Sequence, residues 1–138
     1  MIGYGRDTWC TDTIVLGRFA SGWLVVAQAL YRRLITPRGT LRWGAEESIY
    51  GLDLAGFVGA MGEDAAVLAL PALVAGELSK DDRVSDVRVT ARQVQDAAGL
   101  ISIYIDVDVS LVSEDSDFRL TMAIADARVT LVSATEIQ

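Results

Sequence analysis

The sequence predicts a single α+β domain in which two main helices cover one face of a small three-stranded antiparallel sheet. Three observations carry this prediction. The chain has 138 residues, a typical length for one domain. Apolar residues recur at helical spacing in segments between residues 21 and 80, and at every second position beyond residue 83. We assign residues 1–20 to an irregular N-terminal docking arm, 21–127 to the α+β domain and 128–138 to an extended C-terminal tail.

The predicted arm follows neither period, and glycines interrupt it. Tyr4, Trp9 and Phe19 give it large apolar surfaces. Aromatic side chains on such a segment either pack back onto the domain or anchor in a partner, since aromatic residues are enriched at interface cores. Tyr4 and Trp9 are therefore candidate partner-binding residues.

Helical spacing defines the two main helices. The first is predicted over residues 22–35, with Ser21 as its N-cap and Pro37 beyond its end. The second is predicted from an N-cap at Asp64 to about Lys80. Because Pro71 lies inside this segment, either the helix kinks there or its ordered part begins close to Pro71. Residues 51–58 are predicted to form a short helical turn.

Alternation predicts three strands, near residues 87–91, 101–111 and 118–124, joined as a meander with one apolar face. The alternation slips between Ile124 and Val129, which requires a bulge, a turn or a strand end. We expect the segment after this slip to be a separate extended tail. Its Val129 and Leu131 either pair with the chain's own sheet or add to the sheet of another chain.

Charge and composition exclude several functions. Twelve basic residues against nineteen acidic ones give a net charge of −7, which disfavours nucleic-acid binding. The absence of histidine removes the commonest general base, and the single cysteine, Cys10, leaves no internal disulfide. No apolar run reaches the ~18 residues of a membrane-spanning helix, and no signal-peptide pattern is present. We expect a protein that folds in the cytoplasm and does not bind membranes.

Carboxylates supply the only candidate chemistry. Glu46, Glu47 and Asp53 suggest the acid pair of a glycosidase, although adjacent acids are mostly solvated. Asp106 and Asp108 share the polar face of a strand near further acids, but the calcium-loop pattern is missing. Neither set defines a site, so we expect no catalytic residues, no cofactor and no metal.

Several segments, read in order, resemble the baseplate wedge and sheath-initiator family of contractile phage tails, which has relatives in type VI secretion systems. The similarity covers about residues 22–132. It is carried by Leu34-Ile35-Thr36-Pro37-Arg38-Gly39-Thr40, by Tyr50-Gly51 and by Asp81-Asp82-Arg83-Val84. The family typically has Leu-x-Thr-x-x-Gly at the first of these, and Glu-Pro-Arg followed by Ile or Val at the last.

The resemblance implies a structural protein of the virion tail baseplate, not an enzyme. Family members join the wedge of a six-fold baseplate to the first sheath ring, and sheath strands add to their sheet edge and tail. The implied partners are wedge proteins and sheath subunits, with several copies of this chain per baseplate. On this basis we favour strand addition at Val129 and Leu131.

Three alternatives to parts of this interpretation stay open. Some relatives are labelled lysozymes, so a cell-wall-degrading enzyme is one alternative function, and a stand-alone adaptor or oligomerisation module is another. The resemblance suggests that Asp81, Asp82 and Arg83 contact the wedge. Arg83 is instead a cation that complements the dipole of the preceding helix if that contact is absent.

Overall fold

The structure is a computed structural model of the chain, and it describes residues 6–8, 19–37, 51–112, 117–125 and 128–137. Three helices lie in this part of the chain: α1 (Trp23–Ile35), α2 (Leu54–Met61) and α3 (Glu63–Leu78). The strands in the same ranges are β1 (Arg6–Thr8), β2 (Phe19–Ser21), β3 (Val84–Gln95), β4 (Ile101–Leu111), β5 (Phe118–Ala125) and β6 (Arg128–Glu136).

The predicted α+β class is confirmed, but the main sheet has four strands and not three. Its order is β3-β4-β5-β6, and each strand pairs antiparallel with the next. Burial alternates strictly along β4 and β5, as the two-residue period requires when helices cover one face.

The fourth strand corrects the prediction of a separate tail. Residues Arg128–Glu136 pair with β5, and the register aligns Ala125 with Arg128 and Ile124 with Val129. Only two residues therefore connect the strands. Paired residues of neighbouring strands lie on the same face of the sheet. At this turn each pair joins an even-numbered residue with an odd-numbered one, so the apolar positions change from even to odd numbers. The slip in the alternation marks this turn, and Val129 and Leu131 point into the chain's own core.

A bulge in β6 changes the parity a second time. Met122 pairs with Leu131 and Thr121 with Ser133, so Val132 is the extra residue. Beyond this bulge the core-facing position moves to Ala134, which also packs on the core. The sequence carries no mark of the bulge, because Val132 is as apolar as the residues that face inward.

The core lies between the apolar face of the sheet and the helices. Its fully buried side chains come from the three helices and the two central strands, and include Val26, Leu30, Leu34, Leu54, Leu70, Val74, Leu78, Ile103, Ile105, Val107, Phe118, Leu120 and Met122. The Trp23 ring, at the start of α1, stacks on the Phe118 ring with centroids 5.4 Å apart. Its indole Nε1–H donates to the Glu136 carboxylate, which ties the end of β6 to α1.

The helices differ from prediction mainly at their ends. Gly22, not Ser21, is the N-cap of α1, with a positive φ of 63° that favours glycine. Helix α3 begins at Glu63, one residue before the predicted cap Asp64, and continues through Pro71, so the late start is excluded. The predicted helical turn is the two-turn helix α2, whose N-cap Asp53 accepts a hydrogen bond from the Gly56 N–H at 3.3 Å.

The N-terminal arm is not wholly irregular. Strands β1 and β2 form a two-stranded antiparallel sheet in which Asp7 pairs with Ala20. The candidate residues Tyr4 and Trp9 lie outside the described residues. Among the described residues, no helix is both long enough and apolar enough to span a membrane.

Candidate functional site

The described parts of the three segments that carry the family resemblance lie at one end of the helical layer. The end of α1, residues 51–53 and the turn after α3 meet there. The Asp53 N–H donates to the Thr36 carbonyl at 3.2 Å. Gly51 has a φ of 101°, and a Cβ on it would lie 2.2 Å from the Thr36 oxygen. Only glycine fits this close approach, which gives a physical reason for glycine after Tyr50.

A buried carboxylate holds this junction together. The Glu77 side chain is 1% exposed, yet it lies among three donors. Its Oε1 accepts from the Gly51 N–H at 2.7 Å and from Arg33 Nη1 at 3.2 Å, and Oε2 lies 2.8 Å from Lys80 Nζ. One side chain thus connects α1, α3 and the segment before α2.

Electrostatics keep Glu77 charged. Burial by itself raises the pKa of the Glu77 carboxyl, but the hydrogen bonds and charges of Lys80, Gly51 and Arg33 outweigh burial and lower it from its ordinary value. A buried carboxylate with this many donors is a rigid junction, because removing any partner leaves a charge uncompensated.

The turn after α3 presents the predicted wedge-binding residues. Arg83 forms a fork on Asp81, with Nε 2.9 Å from Oδ1 and Nη2 2.7 Å from Oδ2. The Arg83 backbone N–H also donates to Asp81 Oδ1 at 2.9 Å. Burial raises the pKa of Asp81, but the Arg83 hydrogen bonds and charge, with the charge of Arg33, lower it overall. Asp81 therefore orients Arg83, while Asp82 is exposed.

Arg83 lies beyond the last residue of α3 and carries a specific partner, so more than a diffuse dipole interaction fixes it. About a third of its side chain, 35%, remains accessible. A planar guanidinium that a carboxylate holds in place, and that stays partly accessible, is preorganised for contact with an acceptor group of a partner.

The outer edge of β6 is the second candidate surface. Within the described residues no strand pairs with it, and none pairs with the outer edge of β3. The two edges differ in charge. β3 carries Asp86, Arg88 and Arg92, whereas residues 129–135 of β6 are uncharged. Charged side chains protect sheet edges from pairing with other chains, so β6 is the less protected edge.

The uncovered sheet face accounts for the strand carboxylates considered as a cation site. Asp108 receives a fork from Arg119, with Nε–Oδ1 of 2.6 Å and Nη2–Oδ2 of 3.0 Å, which lowers the pKa of Asp108. Asp106 accepts from the Thr121 hydroxyl at 2.8 Å, and Arg92 Nε lies 3.5 Å from it. Across the described residues, no group of three or more acidic, histidine or cysteine side chains is arranged to hold a metal.

Of the carboxylates considered for glycoside hydrolysis, Asp53 alone lies within the described residues. Asp53 caps α2. Glu46 and Glu47 lie outside the described residues. Sequence reasoning did not single out Glu77, although a signal was present: it lies three residues after Val74, on the buried face of an otherwise apolar helix.

Comparison of the chain with protein-family models, with curated proteins and with solved structures finds no match.

Proposed function

We propose that this chain is a structural subunit of a contractile-tail baseplate, which joins the wedge to the first sheath ring and starts sheath assembly by accepting a strand. The observation that carries the proposal is the outer edge of β6, which is uncharged from residue 129 to residue 135, whereas the opposite edge of the sheet, β3, carries three charged residues. Strand addition uses such an edge, because main-chain hydrogen bonds supply affinity and alternate side chains supply register.

The pairing of β6 with β5 narrows the mechanism that the resemblance implies, in which sheath strands add to both the sheet edge and the tail. The chain's own tail is already part of its sheet, so it does not add to a partner. The sheath subunit instead supplies the incoming strand, which becomes the fifth strand beside β6. The bulge at Val132 increases the local twist and limits where an incoming strand stays in register.

We assign the wedge contact to the turn after α3, between α3 and β3. Asp81, Asp82 and Arg83 lie on a junction fixed by Glu77, so their positions are set before a partner arrives. A fixed guanidinium loses little conformational freedom on binding, which favours specific docking.

Charges placed on the β6 edge are expected to block sheath assembly. In the variant Thr130→Lys/Val132→Lys, both substituted positions are exposed on β6. The matched control, Thr90→Lys/Val94→Lys, adds the same charge at exposed positions of β3. Electron microscopy of tails produced with each variant should show baseplates without sheath for the first and full sheath for the control. Equal sheath length in both would remove β6 from the mechanism.

Arg83→Ala is expected to weaken wedge docking more than it weakens the fold. The loss of the fork on Asp81, whose side chain is 11% exposed, costs about 1–2 kcal/mol of stability, since the Arg83 side of the pair is 35% exposed. Removing one side of a buried charge-assisted contact costs about 2–5 kcal/mol of binding. Calorimetric titration with the wedge and thermal unfolding measure the two effects, and Arg88→Ala on β3 is the control. A large fall in Tm with unchanged wedge binding would assign Arg83 to the fold alone.

A further inference from the structure

Helix α3 exposes a face that carries no charge. Residues 65–76 contain no charged side chain, and the acid that follows them, Glu77, is buried. Helices at a protein surface normally present polar residues to water. Leu68 is 85% exposed and Leu73 is 40% exposed. A contiguous apolar surface of this kind marks an interaction site more often than single exposed apolar residues do.

Five of the exposed residues along α3 form one stripe, and Leu73 lies to one side of it. They follow the spacing i, i+3, i+7, i+11 and i+14 and are Ala65, Leu68, Ala72, Gly76 and Ser79. Leu68 is the one large side chain in the stripe. Further along α3, four neighbouring positions at spacing i, i+3, i+4 and i+7 hold Ala72, Ala75, Gly76 and Ser79. Four such small residues form a hole into which a side chain of another helix can pack.

Gly76 has no role in the chain's own packing among the described residues. A Cβ built on it meets nothing within 4 Å, and its φ is not positive. Glycine in a helix interior is destabilising relative to alanine, because it loses more backbone entropy. A glycine at an exposed helix position is explained if a side chain from another molecule packs directly on it.

We infer that a second copy of this chain covers the face, through antiparallel pairing of the two α3 helices about a twofold axis beside Ala72. Positions related by this axis have residue numbers that sum to about 144. Leu68 of each copy then lies level with the middle of the small-residue hole of the other. The contact is isologous, so the assembly closes at two copies and the Leu68 side chain of each copy packs into the hole of the other.

Charge at the ends of α3 fits the same arrangement. The first turn carries Glu63 and Asp64, and Lys80 follows the last turn with 37% of its side chain exposed. The axis beside Ala72 brings the acidic end of each helix level with the Lys80 end of the other. The antiparallel arrangement also places the positive end of each helix dipole beside the negative end of the other, which is favourable.

The test is the oligomeric state of the full chain by sedimentation equilibrium. Gly76→Leu fills the hole, and is expected to weaken self-association at least about tenfold, as loss of an interface hot spot does. Its Tm, measured where the wild type is monomeric, should not fall, because the monomer has room for the side chain. Leu100→Ala, at an exposed leucine outside α3, is the control and should leave association unchanged.

A swap makes the test specific for the proposed geometry. Leu68→Ala/Gly76→Leu moves the knob to position 76 and leaves a hole of alanines at 65, 68, 69 and 72, so dimerisation should return. A wild-type chain that stays monomeric at its highest soluble concentration, a Gly76→Leu chain that associates normally, or a swap that does not recover would each overturn the inference. The β6 variant Thr130→Lys/Val132→Lys should still dimerise, which separates this result from that of the β6 edge.

Discussion

A chain truncated after Ala127 is expected to lose its stable fold. Strand β6 covers the core with Val129, Leu131 and Ala134, and it pairs with β5, whose Phe118 and Met122 are fully buried. Uncovering side chains of this size costs about 1.5–3 kcal/mol each, and the lost ladder hydrogen bonds add to this. The sum is comparable with the roughly 5–15 kcal/mol of a typical domain.

Circular dichroism during heating measures this result. The truncated chain should show no cooperative transition, whereas a control lacking only Gln138 should unfold like the full chain. The stack of Trp23 on Phe118 and the bond from Trp23 to Glu136 give a second readout, because indole fluorescence should change when β6 is removed. A truncated chain that is soluble and unfolds cooperatively would show that residues 128–138 are a detachable tail.

Glu77→Gln is expected to cost about 3 kcal/mol, or roughly 10 °C in Tm, since it breaks a buried ionic junction with Arg33 and Lys80. The amide keeps the shape of the carboxylate but not its charge. Glu63→Gln, at an exposed position of the same helix, is the matched control and should change Tm little. Equal effects of the two substitutions would contradict a structural role for Glu77.

The same carboxylate gives a pH dependence of defined sign. The pKa values of Glu77 and Asp81 are lowered in the folded chain, so the unfolded chain binds more protons in acid. Their stabilisation is fully present above the unfolded pKa values, about 4, and is lost as the pH falls through the folded values. Chemical denaturation from pH 7 to pH 3 should show this loss, with a smaller slope for Glu77→Gln. An equal slope would exclude Glu77 as its source.

Local patterns predict the elements of this fold better than they predict its connections. The periods of α1, β4 and β5 are visible in the sequence because each buries one face on the same core. The slip between Ile124 and Val129 was also visible, but a turn and a strand end leave the same mark. Pairing with β5 decides between them, and that contact depends on the whole sheet.

The candidate sites also differ in how much of each can be predicted from the sequence. The resemblance singles out Arg83 and Asp81, and the structure brings the two side chains into contact. Glu77 was not found, since a single acid gives no sign that Arg33, Gly51 and Lys80 surround it. The β6 edge is invisible in sequence, because which strand lies outermost is a property of topology.

Hydrogen exchange of the backbone amides, measured with and without the sheath subunit, tests the β6 mechanism most directly. An added strand hydrogen-bonds the outward-facing N–H groups of β6, so alternate amides between Val129 and Thr135 should become protected. Amides of β3 should exchange at unchanged rates, since the charged residues of that edge oppose pairing. Protection of alternate β6 amides alone is the result expected here. Protection along β3, or unchanged exchange along β6 in a complex that forms, would contradict strand addition at this edge.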